Sequence, residues 1–90
     1  MNYSKHFLGK DIQQAKKERY CIHHLLGLIV KEIERGDFIS ASFRANDMLQ
    51  SIGELNRMST NKYREDKFQA LMDEMAQRGI DIQVVRRRIL

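Results

Sequence analysis

The chain has 90 residues, enough for one domain, and its 42% hydrophobic and 31% charged residues are typical of a folded protein and not of a disordered one. The longest apolar run, residues 25–30, is far shorter than a membrane-spanning helix. The excess positive charge that gives a net +4 lies at the two ends of the chain. Residues 1–10 lack the apolar run of a signal peptide, and the single cysteine, Cys21, cannot form an internal disulfide, so we expect a cytoplasmic protein.

Apolar residues recur at alternating steps of three and four between residues 12 and 35, which predicts an α-helix with one apolar side. We expect Asp11 to cap this helix and Gly36 to end it in the left-handed conformation. Residues 1–10 are expected to form a flexible arm before it. The apolar positions are Ile12, Ala15, Ile22, Leu26, Ile29 and Ile33, with Arg19 as the interruption.

A second helix is predicted from Phe38 to Leu55 or Met58, with Asp37 as its cap. Because only Gly36 and Asp37 separate the two helices, the junction predicts an αα-hairpin or a sharp corner. The apolar positions of this helix are Phe38, Ala41, Ala45, Met48, Ile52 and Leu55. The two apolar rows are expected to bury against each other or against a second chain.

The cluster Ser59, Thr60 and Asn61 predicts a break and a new helix cap. A third helix then carries Tyr63, Phe68, Leu71, Met72 and Met75 on one side and ends at Gly79. Asp81 can cap a short final helix over residues 82–90. The predicted fold is therefore all-α, a single domain over residues 1–90 with three main helices and a short C-terminal helix.

The first helix carries a second apolar row, formed by Leu25, Leu28 and Val30. A helix with two apolar sides in so small a protein often packs on its own domain and on another chain. We therefore predict a homodimer.

No motif for catalysis, a cofactor or a metal is evident. Cys21 and His24 share a helix side, but His23 lies on another, and two converging ligands do not make a zinc site. The carboxylates alternate with basic residues as helix-surface pairs do, and no nucleophile motif or phosphate-binding glycine loop occurs. We expect a protein that is not an enzyme and binds neither a metal nor a cofactor.

The segment 71–88 resembles a helix-turn-helix, with Met75, Gly79 and Val85 at the spacing of that family's small residue, turn glycine and apolar residue. The resemblance implies a recognition helix in the DNA major groove, where arginine suits guanine and glutamine suits adenine. The residues available for such contacts are Gln83, Arg86, Arg87 and Arg88. An alternative interpretation is an amphipathic tail whose Ile82, Val85 and Ile89 close the core or dock on a protein groove.

Two functions from different classes remain. The first, which we favour, is a small regulator of the adaptor, inhibitor or anti-factor type that binds a protein partner. Its candidate contact residues form a row on the first helix, comprising Tyr20, His24, Leu28 and Lys31. The second is a dimeric DNA-binding regulator that uses the C-terminal arginines. No membrane partner is expected.

Overall fold

The computed structural model describes residues 1–79, and within that range it contains helices and no β-strand. The elements are α1 (Tyr3–His6), a 3-10 turn (Gly9–Asp11), α2 (Ile12–Glu34) and α3 (Phe38–Gln77). The helices α2 and α3 lie antiparallel as an αα-hairpin, as the sequence predicts. The molecule extends over 66 × 23 × 15 Å, which is about two helices wide and one helix thick.

The corner between α2 and α3 is built by Gly36 and Asp37. Gly36 has φ +76°, and its N–H donates to the carbonyl of Ile33 at 2.9 Å, while the N–H of Asp37 donates to that of Glu32 at 2.8 Å. This pair of bonds is a Schellman motif, and it satisfies carbonyls that the helix end would leave free. The carboxylate of Asp37 then accepts a hydrogen bond from the N–H of Ser40 at 3.1 Å and caps α3. The predicted stop and cap at the corner are confirmed.

The predicted break at Ser59, Thr60 and Asn61 is wrong, because α3 runs through them without interruption. The hydroxyl of Thr60 donates to the carbonyl of Asn56, one turn back, at 2.9 Å, so it does not compete with the helix for a backbone N–H. Met58, immediately before the cluster, is fully buried. The burial of Met58 in the packed core outweighs the weak turn preference of these polar residues. The second and third predicted helices are therefore one helix.

The helix α3 ends where the sequence predicts. Its last residue is Gln77, and Gly79 follows with φ +76°. The predicted final helix over residues 82–90 lies outside the described residues.

Asp11 precedes α2 but does not cap it with its side chain. Its backbone belongs to the 3-10 turn, with φ −98° and ψ −9°, and not to the extended region that a capping residue adopts. The predicted capping bond of Asp11 is therefore wrong, although the helix begins at the predicted residue.

The segment expected to be a flexible arm packs on the end of the hairpin away from the corner, which we call the open end. Phe7 is only 4% exposed and forms a buried cluster with Ala15 of α2 and Met58 of α3. The hydroxyl of Tyr3 accepts a hydrogen bond from Arg19 at 3.1 Å. α1 therefore covers one side of the hairpin at the open end.

The predicted apolar rows are only partly buried. Ala15 and Ala41 are buried, but Leu26, Ile33, Phe38 and Ile52 are exposed. An α-helix has 3.6 residues per turn. A row of residues spaced on average 3.5 apart therefore drifts slowly around the helix. Toward the corner the contact between the helices accordingly passes to the neighbouring positions, among them the buried Glu32. At these four positions the two rows do not bury against each other, and their burial against a second chain stays a prediction.

Substitution of Gly36 by alanine tests the corner. A side chain at φ +76° is strained, so Gly36→Ala should lower the free energy of unfolding by roughly 1–2 kcal/mol, measured by urea denaturation. Gly53→Ala is the matched control, because no heavy atom lies within 4 Å of the added Cβ and α3 is helical there. It should raise the free energy of unfolding by about 0.5–1 kcal/mol. Equal effects of the two substitutions would contradict the proposed role of Gly36.

The cap of α3 predicts a pH effect. Hydrogen bonds from the side chain and backbone N–H of Ser40 lower the pKa of Asp37 below its ordinary 3.8. Since the folded-state pKa is the lower one, the carboxylate stabilises the fold fully above pH 3.8 and loses this contribution as the pH falls through the folded-state pKa. Asp37→Asn should weaken the acid dependence of the thermal midpoint. A carboxyl titration of Asp37 by NMR with a pKa at or above 3.8 would refute this cap.

Candidate protein-binding surface

One side of the hairpin exposes six large apolar side chains, which we call the hairpin face. On α2 they follow the steps of four and three that place residues on one side of a helix, and on α3 they begin at the corner. About half of each side chain, or more, is accessible, and Leu49 is 62% exposed. The hairpin face consists of Leu26, Val30, Ile33, Phe38, Leu49 and Ile52.

Contacts of α1 show that the α2 and α3 parts of this face lie on the same side of the hairpin. Ile52 lines a cleft together with Phe7, on the side of α3 that α1 covers. Arg19, two helical turns before Leu26 on the same side of α2, bonds to Tyr3 of α1. The hairpin face is therefore the continuation, toward the corner, of the surface on which α1 lies.

The exposed positions follow inward positions by one residue. Leu26, Val30 and Ile33 come directly after Leu25, Ile29 and Glu32, which are buried or half-buried against α3. Leu49 and Ile52 likewise follow the half-buried Met48 and Ser51. Each helix therefore has exposed apolar side chains in a direction different from the one that packs the hairpin.

The edge of the hairpin face along α3 carries no charge. Between Phe38 and Asn56 this helix has three charged residues, and none lies on the face. Arg44 donates to the carboxylate of Glu32 at 3.2 Å, and Asp47 and Glu54 line a groove on the other side of the hairpin. The polar residues beside the face on α3 are uncharged, and Asn56 borders it near α1.

The pair of Glu32 and Arg44 keeps a carboxylate inside the hairpin near the corner. Glu32 is 4% exposed, and its Oε2 atom is buried without a hydrogen-bond partner in residues 1–79. The side chain of Arg44 is almost half exposed. A buried carboxylate held by one cation depends strongly on that cation.

The opposite side of the hairpin has a groove of about 640 Å³ between α2 and α3. Cys21, His24 and Leu25 line it from α2, and Asp47 and Glu54 are among the residues of α3 that do so. In the described part of the chain, no three histidine, cysteine or carboxylate side chains lie close enough together to hold a metal ion.

The predicted partner-binding row lies on the groove side of α2. Tyr20 is 74% exposed and its ring stacks on that of His24, with centroids 6.4 Å apart and planes 3° from parallel. Leu28 is half-buried and Lys31 is exposed. The row is therefore accessible along its length, while the larger apolar surface lies on the other side of the hairpin.

Sequence reasoning placed Phe38 and Ile52 in an apolar row that buries against the first helix or against a second chain, and it did not single out Leu49. The available signal was Leu49 directly after Met48, which widens the apolar side of the helix beyond one row. The predicted DNA-contacting residues, Gln83, Arg86, Arg87 and Arg88, lie outside the described residues.

No known family model matches this chain, and comparisons with curated proteins and with solved structures find no match either. Within residues 1–79, no helix combines the length and apolar character needed to cross a membrane. The function is therefore argued from the surfaces of the hairpin.

Removal of Arg44 tests how strongly the buried carboxylate of Glu32 depends on its cation. Arg44→Ala leaves Glu32 without its cation and should lower the free energy of unfolding by about 1–2 kcal/mol, less than for a fully buried pair because Arg44 is partly hydrated. Adding Glu32→Leu should restore most of this loss, since an apolar side chain of similar size needs no partner. Urea denaturation of the three proteins checks this, and a double variant no more stable than Arg44→Ala would contradict it.

Proposed function

We propose that this chain is a small, non-enzymatic helical regulator that acts by binding a protein partner, in the manner of an adaptor, inhibitor or anti-factor. The hairpin face is the proposed docking surface, and its occupant is an amphipathic helical surface. The observation that carries the proposal is the set of six exposed large apolar side chains on one side of the hairpin. Contiguous apolar patches of this kind mark interaction sites in folded proteins.

The size of the face fits a binding role. Six large side chains, each about half accessible, amount to an apolar patch on the order of 500 Å², at the upper end of what monomeric proteins expose. At about 25 cal/mol per Å², its burial is worth on the order of 10 kcal/mol before the costs of association. A surface of that kind is costly to leave in water, which favours a partner that covers it.

The geometry of the face favours helices in the partner. The exposed side chains follow helical spacing on two antiparallel rods, so they form ridges and grooves that match the ridges of other helices. α1 and the following Phe7 already use this side of the hairpin at the open end, where Tyr3 and Phe7 pack on α2 and α3. An incoming helical surface would extend the same mode of packing toward the corner.

The architecture of the hairpin also supports a function without catalysis. The connection between α2 and α3 has three residues, Arg35, Gly36 and Asp37, so it is too short for a loop that could carry reactive side chains. The groove on the other side is lined by carboxylates, a cysteine and a histidine, and we assign it no reaction. The row of Tyr20, His24, Leu28 and Lys31 is proposed as a secondary contact region.

The alternative function, DNA binding through the C-terminal arginines, rests on the sequence pattern. Gly79 has the left-handed conformation that a turn after α3 requires, which is compatible with this alternative. Phosphate contacts would make the affinity fall steeply with salt, with a slope near −0.9 per phosphate in a log–log plot. A gel shift with wild type and an Arg86/Arg87/Arg88→Ala variant, at low and moderate salt, separates the two functions.

The docking surface can be tested by comparing variants in affinity capture from the cells that produce this protein. Leu49→Lys places a charge within the hairpin face and should reduce recovery of the specific partner by at least about tenfold. Phe43→Lys is the matched control. Phe43 is equally exposed but lies one turn from Asp47, on the groove side, and its substitution should leave recovery unchanged.

Quantitative mass spectrometry of the captured proteins gives the readout, and binding is then measured by titration calorimetry with the purified partner. Tyr20→Ala reports separately on the predicted row. If no captured protein depends on Leu49, the hairpin face is not the docking surface. If recovery depends on Tyr20 and Phe43 and not on Leu49, the groove side takes that role.

A further inference from the structure

We infer that the occupant of the hairpin face is a second copy of this chain, so that two hairpins pack face to face into a four-helix bundle. The inference rests on the proposed function, because it takes the hairpin face as a docking surface and names its partner. Four observations on the described residues carry it.

The first observation is that each helix carries apolar side chains in two directions. On α2 the exposed Val30 follows the inward Ile29, and on α3 the exposed Leu49 follows the inward Met48. In a four-helix bundle each helix contacts two neighbours, so both of its apolar directions are covered. A second hairpin placed on the face would cover the exposed direction of both helices at once.

The second observation is the width of the face. It extends over both α2 and α3, roughly 20 Å across, and over about 21 Å of helix axis from Phe38 to Ile52. One added helix, about 10 Å wide, would cover half of that width, while a second hairpin matches it. The apolar patch, on the order of 500 Å², would supply more than half of the ~800 Å² per partner that stable complexes bury.

The third observation is the electrostatics of the border. A two-fold axis places each residue opposite residues of an identical surface, so charges of one sign on the border would repel. The charges of α3 in this stretch are directed elsewhere: Arg44 is held by Glu32, and Asp47 and Glu54 line the groove. The α3 edge of the face is therefore apolar with an uncharged border, so two copies of this edge bring no like charges together across a two-fold axis.

The fourth observation is continuity with α1. This segment covers the same side of the hairpin at the open end, with Phe7 buried and Ile52 at its margin. The uncovered stretch lies between α1 and the corner. A second hairpin would fill that stretch, and the α1 segments of the two copies would stop it from sliding along the helices.

Sedimentation equilibrium of the full chain tests the inference. Wild type should sediment at twice 10.7 kDa at micromolar concentrations. Leu49→Glu should raise the dimer dissociation constant by at least about 100-fold, because each dimer contains two copies of a substitution that costs about tenfold. Phe43→Glu, the control on the groove side, should change it by less than about threefold. Circular dichroism of Leu49→Glu checks that the monomer stays helical, as expected for a side chain that is 62% exposed.

The outcomes separate the inference from the proposed function. A wild-type protein that remains at 10.7 kDa at high micromolar concentration overturns the inference, as does a dimer that Phe43→Glu dissociates and Leu49→Glu does not. If wild type is monomeric but captures a different protein in a Leu49-dependent way, the proposed function holds with another partner. If wild type neither dimerises nor captures a protein through Leu49, both fail.

Discussion

The tight corner at Gly36 and Asp37 is the constraint on which the rest of this structure depends. Gly36 ends α2 through its left-handed backbone, and Asp37 both completes the hydrogen bonds of that end and caps α3. With only three residues between them, α2 and α3 lie antiparallel and in contact. The corner also sets the register of the two helices, because it brings Glu32 of α2 opposite Arg44 of α3. The hairpin face and the groove are the two sides of this pair of helices.

A pair of helices makes one layer, and a single layer can bury only the strip between its members. The molecule is accordingly 15 Å thick, and its buried apolar residues are few, with two alanines among them. α1 supplies a second layer only at the open end, where Phe7 is enclosed. Toward the corner the second apolar direction of each helix has no partner within the described chain. The exposed face is thus a consequence of the topology. Protein binding and self-association are both proposed as ways to cover its apolar side chains.

Much of the hairpin could be predicted from local signals. The periodicity of α2, the left-handed Gly36 and the cap at Asp37 are determined by residues within a turn or two of each other, and all are observed. The break expected near Thr60 was wrong because its evidence was equally local. The hydroxyl of Thr60 bonds within the helix, and the burial of Met58 against Phe7 comes from a segment about fifty residues away in sequence.

For the candidate surface, too, local signals predict one part and tertiary packing decides the other. The apolar repeat predicts that Leu26, Ile33 and Ile52 lie on an apolar side of their helices, and in the structure they do. It does not determine whether that side packs inside the chain, because a drift of one residue transfers the contact from Leu26 to Leu25. Leu49 acquires its significance only when α3 is placed beside α2 and both second directions are seen to lie on one side of the hairpin.

By itself, the sequence determined the helical class, the corner and the amphipathic character of α2 and α3, because these depend on backbone preferences and on spacing along one helix. Only the tertiary structure decided that α3 continues through Thr60, that Phe7 closes the open end and which apolar side chains remain exposed. Those outcomes depend on contacts between residues distant in the chain, and solvent exposure is a property of the packed whole that no local pattern contains.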